Sequence, residues 1–177
     1  MFLDVLFGLI LGIISSLIFG TQDSIFFILL FGVFCSLVPD IDFIIYFFQK
    51  KFKIDHFAHE HRDLLHKPIF FIITGIALLF HSPEIGIIWI VGTLYHFIHD
   101  TIDGGWGIMW LYPFSKKYYT LASYSTKKVF RNKEEQREFA SRYGDPDWFK
   151  KETAINKKLI LKISLVFAII TFSVLIL

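Results

Sequence analysis

Long apolar runs separated by short polar connections dominate the chain. Phe2–Gly20 and Ile25–Phe48 are each near the roughly 20 residues that carry a helix across a bilayer. Ile69–Phe80 and Ile85–Ile98 are shorter, and each gains length by taking a turn from its polar flanks. Leu159–Leu177 is a C-terminal run whose one charge, Lys162, is close enough to its start to snorkel. The first run has no basic leader and no small-residue cleavage site, so a retained helix is expected there and not a signal peptide. The pattern predicts an all-α integral membrane bundle of about five helices. Its expected parts are a membrane-embedded domain over 1–115, a basic connection over 116–158 and a final span over 159–177.

Punctuation within these runs refines the elements. Pro39 interrupts the second run and is expected to kink or break it. Pro68 suits the first turn of the third helix and biases Lys67 away from helical geometry. Gly104, Gly105 and Gly107 end the fourth. The following segment, 106–119, is rich in Trp and Tyr and suits the headgroup layer. Asn132 and Glu135 form a capping-box pattern and Gly144 a C-cap, which predicts a short exposed helix over Lys133–Tyr143.

Composition supports a membrane protein. Of 177 residues 54% are hydrophobic, 22 are Phe, and only 19% are charged, below the quarter usual in soluble domains. A net charge of +2 gives no reason to expect a nucleic-acid partner. The single cysteine, Cys35, excludes an intramolecular disulfide and a cysteine-based zinc site, so any metal must be held by His and carboxylate. Lys and Arg are absent from 21–24 and 81–84. They gather in 49–67 (Lys50, Lys51, Lys53, Arg62, Lys67) and in 103–158. The positive-inside rule then predicts a multi-pass protein of the inner (cytoplasmic) membrane, N-terminus inside and C-terminus outside. It also brings Asp4, Asp40, Asp42, His56–His66 and His96–Asp103 to the cytoplasmic ends of their helices.

Those polar groups carry the candidate chemistry, because ionisable side chains at a membrane boundary are costly unless paired. His96 and Asp100 are four apart and Asp103 three beyond, so all three project from one helix face. They suit one divalent ion or two neighbouring ones, with His99 as a ligand or a partner beside it. The bland alternative is a core His and a helix-end Asp in an ion pair. In the second cluster His61 and His66 are five apart, poor spacing for a regular helix. They converge if His66 sits in the turn before Pro68, with Arg62 then ready for phosphate or carboxylate oxygens. A solvated, His-rich loop is the alternative. Asp40 and Asp42 point apart on a helix but together on an extended segment, so the break at Pro39 decides whether both reach one centre. Asp4 gains weight only from sharing the same membrane face. Mixed His and Asp ligation suits zinc, and also manganese or iron. An open position there would activate a water, with Asp42 or Asp103 as general base.

The series LDVLFGLILG, VPDID, HRDLLHKP and HFIHDTIDGGWGIMWLYPFS resembles the YdjM-like membrane-bound metal-dependent hydrolases, over roughly Asp4 to Ser115. By that resemblance the family is distantly similar to the zinc-dependent phospholipase C and P1-nuclease group. It implies Asp40, His61, His66, His96 and Asp100 as metal ligands and 1–115 as the hydrolase-like domain. Asp4 stands where family members often carry a His before a Gly, here Gly8, and is carried over as a further ligand. No His follows His99, so one or two ions are expected and not three. The implied activity is hydrolysis of a phosphoester, with a phospholipid headgroup as natural substrate and Arg62 or Lys67 holding the phosphate. The rival is a non-catalytic membrane protein with a structural metal or a partner-binding role. A transporter ranks last, because its acidic and His groups belong near mid-membrane within an inverted repeat.

Overall fold

The computed structural model describes residues 2–20, 25–51, 55, 57–102, 106–121, 129–143 and 147. The predicted final span, 159–177, the basic connection from 148 on, Gly104, Gly105 and Gly144 lie outside the described residues. Helix α1 covers Phe2–Phe19 and α2 Ile25–Leu37. At Pro39 the second run breaks into a 3-10 turn, Val38–Asp40, and resumes as α3, Ile41–Gln49. A second 3-10 turn, Ala58–Asp63, leads to α4, Pro68–His81, which opens on its proline as expected. Helix α5 runs Pro83–Ile102 and α6 Lys133–Tyr143. Residues up to Gly144 form one compact unit.

The chain is an all-α membrane bundle. Phe2–Phe19, Ile25–Gln49 and Pro83–Ile102 are long and apolar enough to cross a membrane. α4, with 14 residues, is shorter. At 1.5 Å per residue it covers roughly 21 Å of a hydrocarbon layer near 30 Å. Side chains are distributed as lipid solvation demands: Leu17 is 79% and Phe80 89% exposed, while Asp4, Asp42, His66 and His96 are buried.

Small residues bring the spans together. The buried stripe of α1 is Asp4, Gly8, Leu11, Gly12 and Ser15; that of α2 includes Ile28, Gly32, Cys35 and Ser36. A Cβ on Gly8 would lie 2.5 Å from the Gly32 carbonyl oxygen, and one on Gly32 would strike the Gly8 carbonyl. This near-contact of backbones lets the Ser36 hydroxyl donate to the Asp4 carbonyl at 2.7 Å. α5 packs on the same pair, with Ile88 joining Leu11, Ile28 and Cys35 in the core.

Beyond α5 the chain folds back on its end. The Trp110 indole donates to Thr101 Oγ1 at 2.8 Å, and Ile108 bridges Tyr119 through paired backbone hydrogen bonds. Two-residue strands β1 (Tyr118–Tyr119) and β2 (Phe130–Arg131) pair antiparallel. α6 starts on the predicted capping box: Glu135 N donates to Asn132 Oδ1 at 2.8 Å and Asn132 N to Glu135 Oε2 at 2.9 Å. Ala140 of α6 packs with Trp106, Met109 and Tyr118.

Gly32→Val should therefore lower the unfolding temperature in detergent, by an overpacking cost of about 1–3 kcal/mol. Relief of the glycine's backbone entropy returns only about 0.5–1 kcal/mol. An unchanged melting curve would show that this backbone contact is dispensable.

Candidate metal centre

Four donor atoms from three separate stretches converge. His66 Nε2 lies 3.3 Å from His96 Nε2, 3.5 Å from Asp40 Oδ1 and 3.3 Å from Asp100 Oδ2. His96 Nε2 lies 3.5 Å from both of those oxygens. A tetrahedron with metal–ligand bonds of about 2.0–2.2 Å has edges of roughly 3.3–3.6 Å, so all five spacings fit one central ion.

Each ligand is presented by a local break or a helix register. His96 and Asp100 are one turn apart on α5. Asp40 ends the 3-10 turn that Pro39 enforces, and Asp42 sits in the first turn of α3. Because they belong to two elements, both carboxylates face the same histidines. His66 occupies the turn between the second 3-10 segment and Pro68. Its spacing from His61 would not have served on one helix.

The hydrogen bonds on the far side of each ring decide what the near side can do. His96 Nδ1 is 2.9 Å from the Ser36 carbonyl oxygen, which can only accept, so that nitrogen carries the proton. His66 Nδ1 is 3.0 Å from Asp42 Oδ2, which also accepts from Leu65 N at 3.0 Å. Each Nε2 therefore faces the other ring and two carboxylates, and offers a lone pair there whenever its ring is neutral. Asp100 Oδ2 is buried and has no hydrogen-bond partner among the described residues. Two imidazoles and two carboxylates so gathered could hold a metal ion, and the donor set fits a divalent one. Nδ1–H bonds to a carboxylate or carbonyl are the usual means of orienting a ligating imidazole.

The other expected site residues have definite places. Asp4 lies behind His96, its Oδ1 3.5 Å from His96 Nδ1 and 3.4 Å from His99 Nδ1, on the side away from the four converging atoms. His61 Nε2 is adjacent to the cluster, 3.9 Å from Asp40 Oδ1 and from Asp42 Oδ1. The Arg62 guanidinium is buried and donates from one Nη to Asp100 Oδ1 at 2.9 Å, while its Nε and other Nη have no hydrogen-bond partner among the described residues. Asp103 lies outside the described residues. Burial and the Arg62 charge push His59 down to about 3, which keeps it neutral.

Sequence reasoning passed over two supports. Ser36 acts through its backbone carbonyl, which every residue type possesses and no motif reveals. Asp63 gathers the Tyr118 hydroxyl, the Trp106 indole N–H at 3.3 Å and Lys133 Nζ at 2.8 Å, while Arg137 pairs with Glu60. α6 and β1 thus hold the turn that carries His61 and Arg62. The ion pairs are partly exposed and contribute little singly; the buried Tyr118 supplies the anchor.

Comparison with known proteins gives one match. The model of the YdjM inner membrane protein family matches residues 3–176. No curated protein and no solved structure matches the chain.

Proton and metal compete for this centre. Burial alone would disfavour the His66 imidazolium, but hydrogen bonds with Asp100, Asp40 and Asp42 outweigh it and push the group up to about 9. Below that pH an incoming ion must displace the proton from Nε2. Apparent metal affinity should accordingly rise about tenfold per pH unit between pH 6 and 8. Competition with a chelating indicator at pH 6, 7 and 8 measures the slope; a flat profile would remove His66 from the ligand set.

Proposed function

We propose that this chain, which belongs to the YdjM inner membrane protein family, is a metal-dependent hydrolase of a phosphoester at the cytoplasmic membrane surface. The observation that carries the reading is Arg62. A guanidinium whose Nε and second Nη have no partner among the described residues, buried beside a candidate divalent-ion centre, is suited to an anionic oxygen that arrives with the substrate. Phosphate oxygens fit that planar fork, and the membrane position makes a phospholipid headgroup the natural source. The distribution of Lys and Arg supports a cytoplasmic position for this end of the bundle by the positive-inside rule.

When bound, a divalent ion supplies Lewis acidity that polarises an ester oxygen and makes water a nucleophile near neutral pH. The ligands assigned to it are Asp40, His66, His96 and Asp100. Zinc suits the tetrahedral spacing best, with manganese and iron as chemical alternatives. Asp42 holds the His66 proton at Nδ1 and keeps Nε2 free to ligate. Asp4 does the same work electrostatically behind His96 and His99. Arg62, itself fixed by Asp100, orients the phosphate and offsets the negative charge that grows in the transition state.

A second reading has its own support. Four protein donors close a tetrahedron, which is the arrangement of structural zinc, whereas catalytic sites keep a position open. In that case the metal serves only to hold α5, the Pro39 turn and the His66 turn together.

Arg62→Lys separates the two. It keeps the positive charge beside Asp100 and loses the fork, so metal content should persist while kcat/KM on bis(p-nitrophenyl) phosphate or phospholipid vesicles falls about 10²-fold. His96→Ala should lose both metal and activity. Metal-loaded wild-type protein that hydrolyses none of these esters, yet unfolds on chelation, would establish the structural role instead.

A further inference from the structure

We infer that 111–117 is a membrane-inserting loop: Leu111 and Phe114 enter the lipid leaflet beside the short helix α4, and Lys116 and Lys117 meet lipid phosphates. By composition the Trp and Tyr of this segment suit the headgroup layer, yet the fold packs them against the protein. Trp106 and Tyr118 are buried with Met109, and the Trp110 indole is tied to Thr101. What stays outside is apolar and aliphatic or phenyl: Leu111 is 53% exposed and Phe114 94%, with Pro113 exposed between them. Lys116 and Lys117, both exposed, follow directly.

Two contacts fix the loop at the first turn of α4. The Tyr112 ring packs on Phe70 with centroids 5.9 Å apart, and Lys67 Nζ lies 4.7 Å from the centre of the Tyr112 ring. Phe70 begins a row of exposed apolar side chains, continued by Ile73, Ile76 and Phe80, at the spacing of one helix face. Leu111 and Phe114 stand on either side of the tyrosine in the chain, so they extend that lipid-facing row beyond the helix end.

Helix length leaves room for such an extension. At 14 residues α4 covers roughly 21 Å of a hydrocarbon layer near 30 Å, so about 9 Å beside it is left for the loop. Backbone that enters lipid must satisfy its polar groups internally. Pro113 has no N–H to dehydrate. Tyr112 N donates to the Met109 carbonyl at 3.2 Å and Ser115 N to that of Leu111 at 2.9 Å, while paired bonds between Ile108 and Tyr119 close the base. The loop is therefore already folded before it meets lipid. Two lysines beside the apolar tip complement an anionic headgroup layer. In a two-fold pair of chains joined at the same tip they would face like charges.

A nitroxide at the tip reports what surrounds it. Full-length Phe114→Cys is spin-labelled and reconstituted in vesicles of phosphatidylethanolamine and phosphatidylglycerol. Glu138→Cys, on the exposed polar face of α6, gives the aqueous reference, and wild type gives any background from the buried Cys35. The label at 114 should collide with oxygen freely and with a water-soluble nickel chelate several-fold less than the label at 138. Equal nickel access at the two positions would place the loop in water and overturn the insertion. Exclusion of both reagents, with a spectrum broadened by spin–spin coupling, would mean that a second copy of the chain covers the tip, and would overturn it equally. Leu111→Cys gives an independent reading should the first variant fail to fold.

Discussion

Two imidazole N–H groups govern this end of the bundle. Because His96 donates its Nδ1 proton to the Ser36 carbonyl and His66 donates its own to Asp42, both rings turn Nε2 toward each other and toward Asp40 and Asp100. The two Nε2 atoms are 3.3 Å apart, so one proton between them can serve both rings. A positive charge there, a shared proton or a metal ion, would stabilise the facing carboxylates. In a membrane, where exposed water cannot solvate them, that stabilisation matters more than in a soluble core.

The helix packing serves the same geometry. The Ser36 carbonyl reaches His96 because α5 packs against α2, with Gly92 set closely over Cys35. Asp4 stands behind His96 because Gly8 and Gly32 allow α1 and α2 to approach to backbone contact. Lipid offers no hydrophobic force for joining helices, so close small-residue packing and interhelical hydrogen bonds must hold them. The residues that give the bundle its cohesion are thus those that hold the second layer of polar groups in place.

The segments outside the spans act on the site through one loop. The second 3-10 turn carries His61 and Arg62, and it is held from outside by Tyr118, Trp106, Lys133 and Arg137. Arg62 therefore keeps its place although its Nε and second Nη have no hydrogen-bond partner among the described residues. A loose arginine would instead turn its free N–H groups to water or to the nearest carboxylate.

Much of this was legible along the chain. The apolar runs named the spans, Pro39 and Pro68 named the breaks, and Asn132 with Glu135 named the start of α6, because each depends on local periodicity or backbone geometry alone. The spacing of His96 and Asp100 announced one side of a site for the same reason. What one dimension could not give was which atom of each group faces inward. Asp4 and Asp40 look alike in sequence, yet one lies behind a ligand's Nδ1 and the other among the converging Nε2 atoms. Asp42 reads as a candidate base and sits on a histidine N–H. Ser36 contributes only a carbonyl, which every residue has. Hydrogen-bond direction is set by neighbours distant in the chain, so tertiary packing alone decided which acidic residues join the four-atom cluster and which stand behind its histidines.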